Sequence, residues 1–336
     1  MGVTRIRVKH SLIQWAFSTT DLSEETKKKV TATSKWLQPD SSVYLQPTAK
    51  QLGLFATRLH IPFGSLLLEL PPKPDDIRLA FRTQKNAPAQ VSLTVRDIIY
   101  EMKRKQAWFK EESGTATNKL SLIGSAKGFD NAETANVIAN FLTLHHFQSP
   151  RELFNNLRSQ LAQIGILNMQ KGNAGLGTNR PLNIKELRAF VLLDDYAPLI
   201  FINQKDTYTA RIFSLVHEFI HILHGSDELL RDGDNNLTEE RHINQITAAF
   251  LMPESAFRTL FATNDLIKVA HYFNTSPETT LIRAKEIGLI TNTASVELPA
   301  SPTSLTKKSG GNPYNNALSL NDSRYMNALI SAQKTL

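Results

Sequence analysis

Apolar residues recur at helical spacing along most of this chain, and between residues 166 and 203 they gather into short runs bounded by turn signals. Within residues 6–37, which read as short helices, Leu12, Ile13, Ala16 and Phe17 form one apolar face. Asp21 or Ser23 caps the helix that follows, Glu24–Val30, with Glu24 and Glu25 in its first turn. Pro39-Asp40-Ser41-Ser42 is a loop signal. Pro47-Thr48 opens an amphipathic helix with Leu52, Phe55, Ala56 and Leu59 on one side. Leu66–Leu70 reads as a shorter apolar helix, closed by Pro71-Pro72. Further on, Ile77–Arg82 is strand-like, Val95–Lys110 helical and Ser113–Gly128 a polar loop. Asn131–Phe147 reads as one helix, with Ala135, Ile138, Ala139 and Leu142 inward and His145 and His146 on the surface. Ser149-Pro150 starts the next helix, which Gly165 ends.

The pattern then becomes α+β. Ile166–Met169 is a short strand, and the loop after it holds Gly175-Leu176-Gly177, too weak a signal for a phosphate cradle. Leu187–Leu193 and Pro198–Asn203 are strands joined by a turn at Asp194-Asp195-Tyr196. The second of them is expected to offer an edge to which an extended peptide adds. Asp206 or Thr207 then caps a helix that is apolar almost all round (Ile212, Phe213, Leu215, Val216, Phe219, Ile220, Ile222, Leu223), so it is buried; Gly225 ends it. After a polar loop, Ser226–Thr238, come a helix Glu239–Leu251, a helix pair Leu266–Phe273 and Glu278–Glu286, a linker-like stretch 291–321 rich in Ser, Thr, Asn, Pro and Gly, and a terminal helix within 322–334.

The expected fold class is α+β and mostly helical, with a small antiparallel sheet. Four regions are expected: a helical bundle at 1–75, a helical connection at 76–164, the α+β region at 165–290, and a linker with a final helix at 291–336. The first 110 residues carry 18 Lys and Arg against 9 Asp and Glu, while the whole chain has net charge +7. This basic third points to a polyanion, such as DNA, as a partner. No cysteine is present, so disulfides, thiolate ligands and Cys-based catalysis are excluded. No apolar run is long enough to span a membrane, and the basic N-terminus lacks the apolar core of a signal peptide, so a cytoplasmic location is expected.

The buried helix carries the chemistry. It contains His217-Glu218-Phe219-Ile220-His221, an H-E-x-x-H pattern. Residues four apart stand one turn above each other, so His217 and His221 aim both imidazoles at one point, the geometry a Zn²⁺ ion needs. Glu218 lies one step round the helix, placed to hold a water rather than the metal. Polar groups on so apolar a helix are costly to bury unless a metal or partner satisfies them. A third ligand is required. Glu240, on the following helix, is one candidate; Glu239, His224, His242, Asp227, Asp232 and Asp234 compete with it. His242 and Glu240, two residues apart, cannot both face inward.

The stretch FSLVHEFIHILHG followed by ERHINQITAAFLMP resembles the ImmA/IrrE family of metallopeptidases, across about residues 165–290. Glu240, Asn244, Ala248, Phe250, Leu251, Met252 and Pro253 match the family's second motif; Ile243 replaces its usual small residue. The string PTxxQLxxFAxxLxIPxxxLLLxLPP in the first region is similar to the later helices of XRE-type helix-turn-helix domains, as in phage and mobile-element members. The resemblance implies a zinc endopeptidase with a zincin-like core. It assigns His217, His221 and Glu240 to the metal, Glu218 to general base catalysis, and a protein substrate, a helix-turn-helix repressor, whose cleavage regulates transcription. Asn244 is then placed to orient the motif helix or its ligands, and Tyr208, His224 and His271 are candidates for steadying the transition state. The competing reading is a DNA-binding or antitoxin-like transcriptional regulator whose metal is structural or sensory.

Overall fold

The computed structural model describes residues 4–20, 22–37, 44–59, 61–72, 92–113, 119–175, 180–226, 235–290 and 318–334. The loop expected at Pro39–Ser42, the strand at Ile77–Arg82, the cap candidate Asp21 and most of the 291–321 stretch lie outside these residues. The chain divides into two compact units, residues 1–77 with 88–98 and residues 78–87 with 99–336.

In the first unit, β1 (Val8–Lys9), α1 (His10–Thr19), α2 (Glu24–Thr33), β2 (Tyr44–Leu45) and α3 (Ala49–Leu59) follow one another, and β1 pairs antiparallel with β2. Ser23 caps α2 by accepting from Thr26 N at 3.3 Å. Thr48 and Gln51 form a reciprocal capping box at the start of α3, each side chain accepting from the other's backbone N–H. Leu12, Ala16, Leu52, Phe55, Leu59 and Leu66 close the core. The short pairing of β1 with β2 was not anticipated, although Arg5-Ile6-Arg7-Val8-Lys9 alternates with the period of a strand. The expected helix Leu66–Leu70 does not form. A 3-10 stretch, Phe63–Leu67, buries Leu66 alone and leaves Leu67, Leu68 and Leu70 exposed. Many cations here have partners: Lys9 with Glu69, Lys27 with Glu24, Lys29 with Glu25, and Arg7 over the Tyr44 ring.

Helix α4 (Leu93–Glu112) leads, through the turns at 119–128, to α5 (Asn131–Phe141) and α6 (Pro150–Gln163). The helix expected over Asn131–Phe147 stops at Phe141. Leu142 turns extended, and the Gln160 amide of α6 takes both backbone groups of Thr143, accepting from its N–H at 2.7 Å and donating to its carbonyl at 3.0 Å. His145 and His146 are exposed, as expected. Ser149 caps α6 with Pro150 in its first turn.

Then come β3 (Leu167–Lys171), β4 (Ala189–Leu192) and β5 (Leu199–Asn203), in the order β3-β5-β4. The β4–β5 pair is antiparallel, with Phe190 opposite Phe201; β3 joins β5 in parallel, with Leu167 opposite Leu199. The strand expected to offer a free edge is therefore the central one, hydrogen-bonded on both sides, and strand addition there is ruled out. Asp194 forms the β4–β5 turn by accepting from Tyr196 N and Ala197 N. Helix α7 (Tyr208–His224) packs on β4 and β5 and against α6 and α8 (Asn235–Leu251). A second, smaller core of Met252, Phe257, Val269, Phe273 and Ala284 gathers α9 (Glu254–Phe261), α10 (Leu266–Tyr272) and α11 (Pro277–Glu286). Helix α9 is absent from the sequence reading, which passed over its Phe257, Leu260 and Phe261 spacing. The fold is thus α+β and mostly helical. Among the described residues no helix is long and apolar enough to cross a membrane.

The free side of β3 is covered by the C-terminal segment that leads into α12 (Ser323–Lys334). Asp322, buried, accepts from Asn168 N at 3.1 Å. Gln170 donates to Ser319 O at 2.7 Å, and Arg158 donates to Ser319 O, Asn321 O and Asn168 O. Tyr325 meets Trp108 of α4 edge to face at 5.3 Å. An open strand edge is a template for aggregation, and this segment supplies the cover. Asp322→Ala, which leaves the Asn168 N–H buried and unpaired, is expected to lower stability by about 1–3 kcal/mol, measured by urea unfolding followed through tryptophan fluorescence.

Glu101 of α4 lies 2.7 Å from Lys171 of β3 and 3.1 Å from Lys105. Burial pushes its carboxyl up, but the two ammonium groups outweigh burial and hold it below the usual carboxylate range. A carboxyl depressed by folding contributes stability above its unfolded pKa and loses it as pH falls through the folded value. Glu101→Gln is therefore expected to destabilise at pH 7, and the gap from wild type to close below about pH 4, measured by urea unfolding across a pH series.

Candidate metal centre

Thr207, rather than Asp206, caps α7: its Oγ1 accepts from Ala210 N at 3.3 Å, whereas Asp206 accepts from Thr207 N and faces Arg188. Ile212, Leu215, Val216, Phe219, Ile220, Ile222 and Leu223 are fully buried, and between Ile212 and Leu223 only Phe213 and Ser214 are partly exposed. Its carbonyl end is closed by backbone donors. Gly225 takes the left-handed conformation at φ 66° and ψ 34°. Gly124 N and Ala126 N, from the turns at 119–128, donate to Ile222 O at 3.0 Å and Leu223 O at 2.8 Å. The stretch expected as a polar loop is thus what satisfies the last turn of the motif helix.

Inside this apolar helix, His217 and His221 stand one turn apart with ring centroids 4.9 Å from each other and their Nε2 atoms at 3.2 Å. Helix α8 brings in the third group. Glu240, Ile243, Thr247 and Leu251 form its buried stripe, and Glu240 is the one acid in it. Glu240 Oε2 is 3.3 Å from His217 Nε2 and Oε1 is 3.2 Å from His221 Nε2. All three side chains are buried. Burial alone would push the Glu240 carboxyl up, but the two imidazoles beside it outweigh burial and hold it well below the usual carboxylate range. Ile243, the departure from the family pattern, is fully buried in the core between α7 and α8.

These donors fit a single divalent cation. Bonds of about 2.0–2.1 Å arranged tetrahedrally put neighbouring donor atoms about 3.3 Å apart, and the three separations observed are 3.2–3.3 Å. Glu240 Oε1 is wholly buried and accepts no hydrogen bond. One proton between two facing imidazole nitrogens and a carboxylate cannot satisfy the set, whereas a cation at its centre serves all three. Two nitrogens and one oxygen, with no sulfur, also match zinc in a site that keeps a position open.

Glu218 is buried on α7 beside His217, one step round the helix from the two imidazoles. Among the described residues no other His, Asp or Glu joins the trio as a possible metal ligand. His242 is exposed, consistent with Glu240 facing inward, and Glu239 is half-buried. His224 Nε2 lies 3.4 Å from Thr134 Oγ1 of α5. Tyr208, nine residues before His217 and so about 13 Å along the axis, lies against the Arg211 guanidinium at 4.4 Å and the edge of Phe154. His271 is exposed on α10. Asn244, one turn beyond Glu240 on α8, is half-buried. Asp227, Asp232 and Asp234 lie outside the described residues, as do Leu176 and Gly177 of the Gly-Leu-Gly stretch. The sequence reading missed Ser226, whose hydroxyl is buried 2.9 Å from His221 Nδ1. A serine after a helix-ending glycine carries no signal of its own; only the backbone turn gives it a target.

Residues 178–285 match the peptidase M78 family model, described as an IrrE N-terminal-like domain. No curated protein and no solved structure matches the chain. The matched segment contains the whole of α7 and α8, and so the pattern His217-Glu218-x-x-His221 together with Glu240. On this match, the chain carries in residues 178–285 a peptidase domain of the ImmA/IrrE family.

Proposed function

We propose that this protein is a zinc-dependent endopeptidase that cuts a regulatory protein, a helix-turn-helix repressor, and thereby switches on stress or mobile-element genes. The observation that supports the hydrolytic part is the convergence of two imidazoles and a carboxylate, all buried, beside a second buried glutamate. The choice of a repressor as substrate rests on the resemblance to the ImmA/IrrE family. A repressor target also implies a cytoplasmic protein, in keeping with a chain that has no cysteine.

In this reading His217 and His221 through Nε2, and Glu240 through its carboxylate, hold the ion. When bound, zinc supplies a Lewis acid that polarises the scissile carbonyl and makes an attacking water acidic near neutral pH. Glu218 acts as general base: its carboxylate accepts the proton of the attacking water and passes it to the departing amine nitrogen. Burial of the trio keeps bulk water away, which strengthens each electrostatic contact on the reacting carbonyl. The Glu240 carboxylate balances one unit of the ion's charge. Helix α7 fixes the spacing between the imidazoles and Glu218, so base and metal ligands move as one body.

Two substitutions separate binding from chemistry. Glu218→Gln is expected to retain one zinc per chain while peptide-bond cleavage of a helix-turn-helix repressor falls at least about 100-fold, the lower bound for losing a general base. Glu240→Ala is expected to lose the metal as well. Zinc content by elemental analysis and cleavage followed on a gel check both; cleavage by Glu218→Gln at the wild-type rate would overturn the proposal.

A further inference from the structure

The C-terminal end of α7 directs a hydroxyl at one of the paired imidazoles. Because Gly225 turns left-handed, the chain folds back over the last helical turn, and Ser226 N donates to His221 O at 3.0 Å. That backbone bond carries the Ser226 hydroxyl to 2.9 Å from His221 Nδ1, with both side chains buried. The hydroxyl proton has an acceptor of its own in the His221 carbonyl, 3.5 Å away, which leaves the Ser226 oxygen to accept from Nδ1–H. With the proton on Nδ1, the lone pair is on Nε2, the nitrogen that faces His217 and Glu240. The opposite tautomer would turn an N–H toward the other imidazole and leave no lone pair for an ion.

We infer that Ser226 is a positioning residue for His221, which selects the imidazole tautomer and ring rotation that present Nε2 to a cation; the inference rests on the metal-binding reading above. The surrounding backbone holds it in place. A Cβ at Gly225 would stand 3.3 Å from Gly124 Cα, and Gly124 N and Ala126 N are bonded to the carbonyls just before the turn. The turn, the hydroxyl and the imidazole therefore form one connected unit, and the glycine that ends the helix also aims the serine.

The test compares the full-length wild type with Ser226→Ala and Ser226→Thr. Zinc affinity is measured by competition with a chromogenic chelator, and the tautomer of His221 by nitrogen-15 NMR of the metal-free protein. Ser226→Ala is expected to bind zinc about 10- to 100-fold more weakly and to lose the pure Nδ1–H signature, with its metal-free thermal midpoint within a few degrees of wild type. Ser226→Thr, which keeps the hydroxyl, is expected to restore both. Wild-type zinc affinity in Ser226→Ala, or an unchanged tautomer, would overturn the inference. If Ser226→Ala does not fold, Ser226→Thr decides: weak zinc binding or a mixed tautomer there overturns it, and wild-type values support it. A wild type that takes up no zinc would sink the metal reading instead, while the tautomer signal still judges the hydrogen bond.

Discussion

Three polar side chains, largely withdrawn from solvent, set the terms for the second unit. A carboxylate and two imidazoles lie among fully buried isoleucines, leucines and phenylalanines of α7 and α8. Uncompensated, such groups oppose folding by several kcal/mol. Here they meet each other, in an arrangement that could hold a cation. The donors stand 3.2–3.3 Å apart, the spacing that tetrahedral bonds of about 2.0–2.1 Å require.

Backbone accounting explains how that geometry is kept. A helix ends with carbonyls that have no partner within it, and a buried helix cannot hand them to water. Here the last carbonyls of α7 go to Gly225, Ser226, Gly124 and Ala126. A segment far upstream in sequence thus fixes the end of the motif helix, and with it the height of His221. Gln160 does comparable work at Thr143, where one amide side chain stands in for a neighbouring strand.

Much of this was readable in the chain itself, and the limits have physical causes. Local signals carried well: Ser23 and Ser149 as caps, Gly225 as a stop, Leu52 to Leu59 as a buried face, and the spacing of His217 and His221 all depend on neighbours within a turn or two. Glu240 was legible only as one of several acids, because its inward direction depends on the stripe of Ile243, Thr247 and Leu251. Long-range facts were not legible. Nothing in Pro198–Asn203 says that β3 will take its other side, since a buried central strand and a buried edge strand have the same apolar composition. The end of α5 at Phe141 is decided by Gln160, nineteen residues away, which no helical periodicity could report. In the first unit, apolar content alone suggests a helix over Leu66–Leu70, yet of these residues only Leu66 enters the core.

The pairing of Asn168 with Asp322 spans 154 positions of sequence. During synthesis, β3 emerges from the ribosome long before the residue that shields it. Through that interval the Asn168 N–H on the outer side of β3 has no Asp322 to accept from it, and an uncovered strand edge is a template for pairing with other chains. A chain that has not yet reached Asp322 therefore carries a sheet whose three strands are all present while the Asn168 N–H still lacks its acceptor.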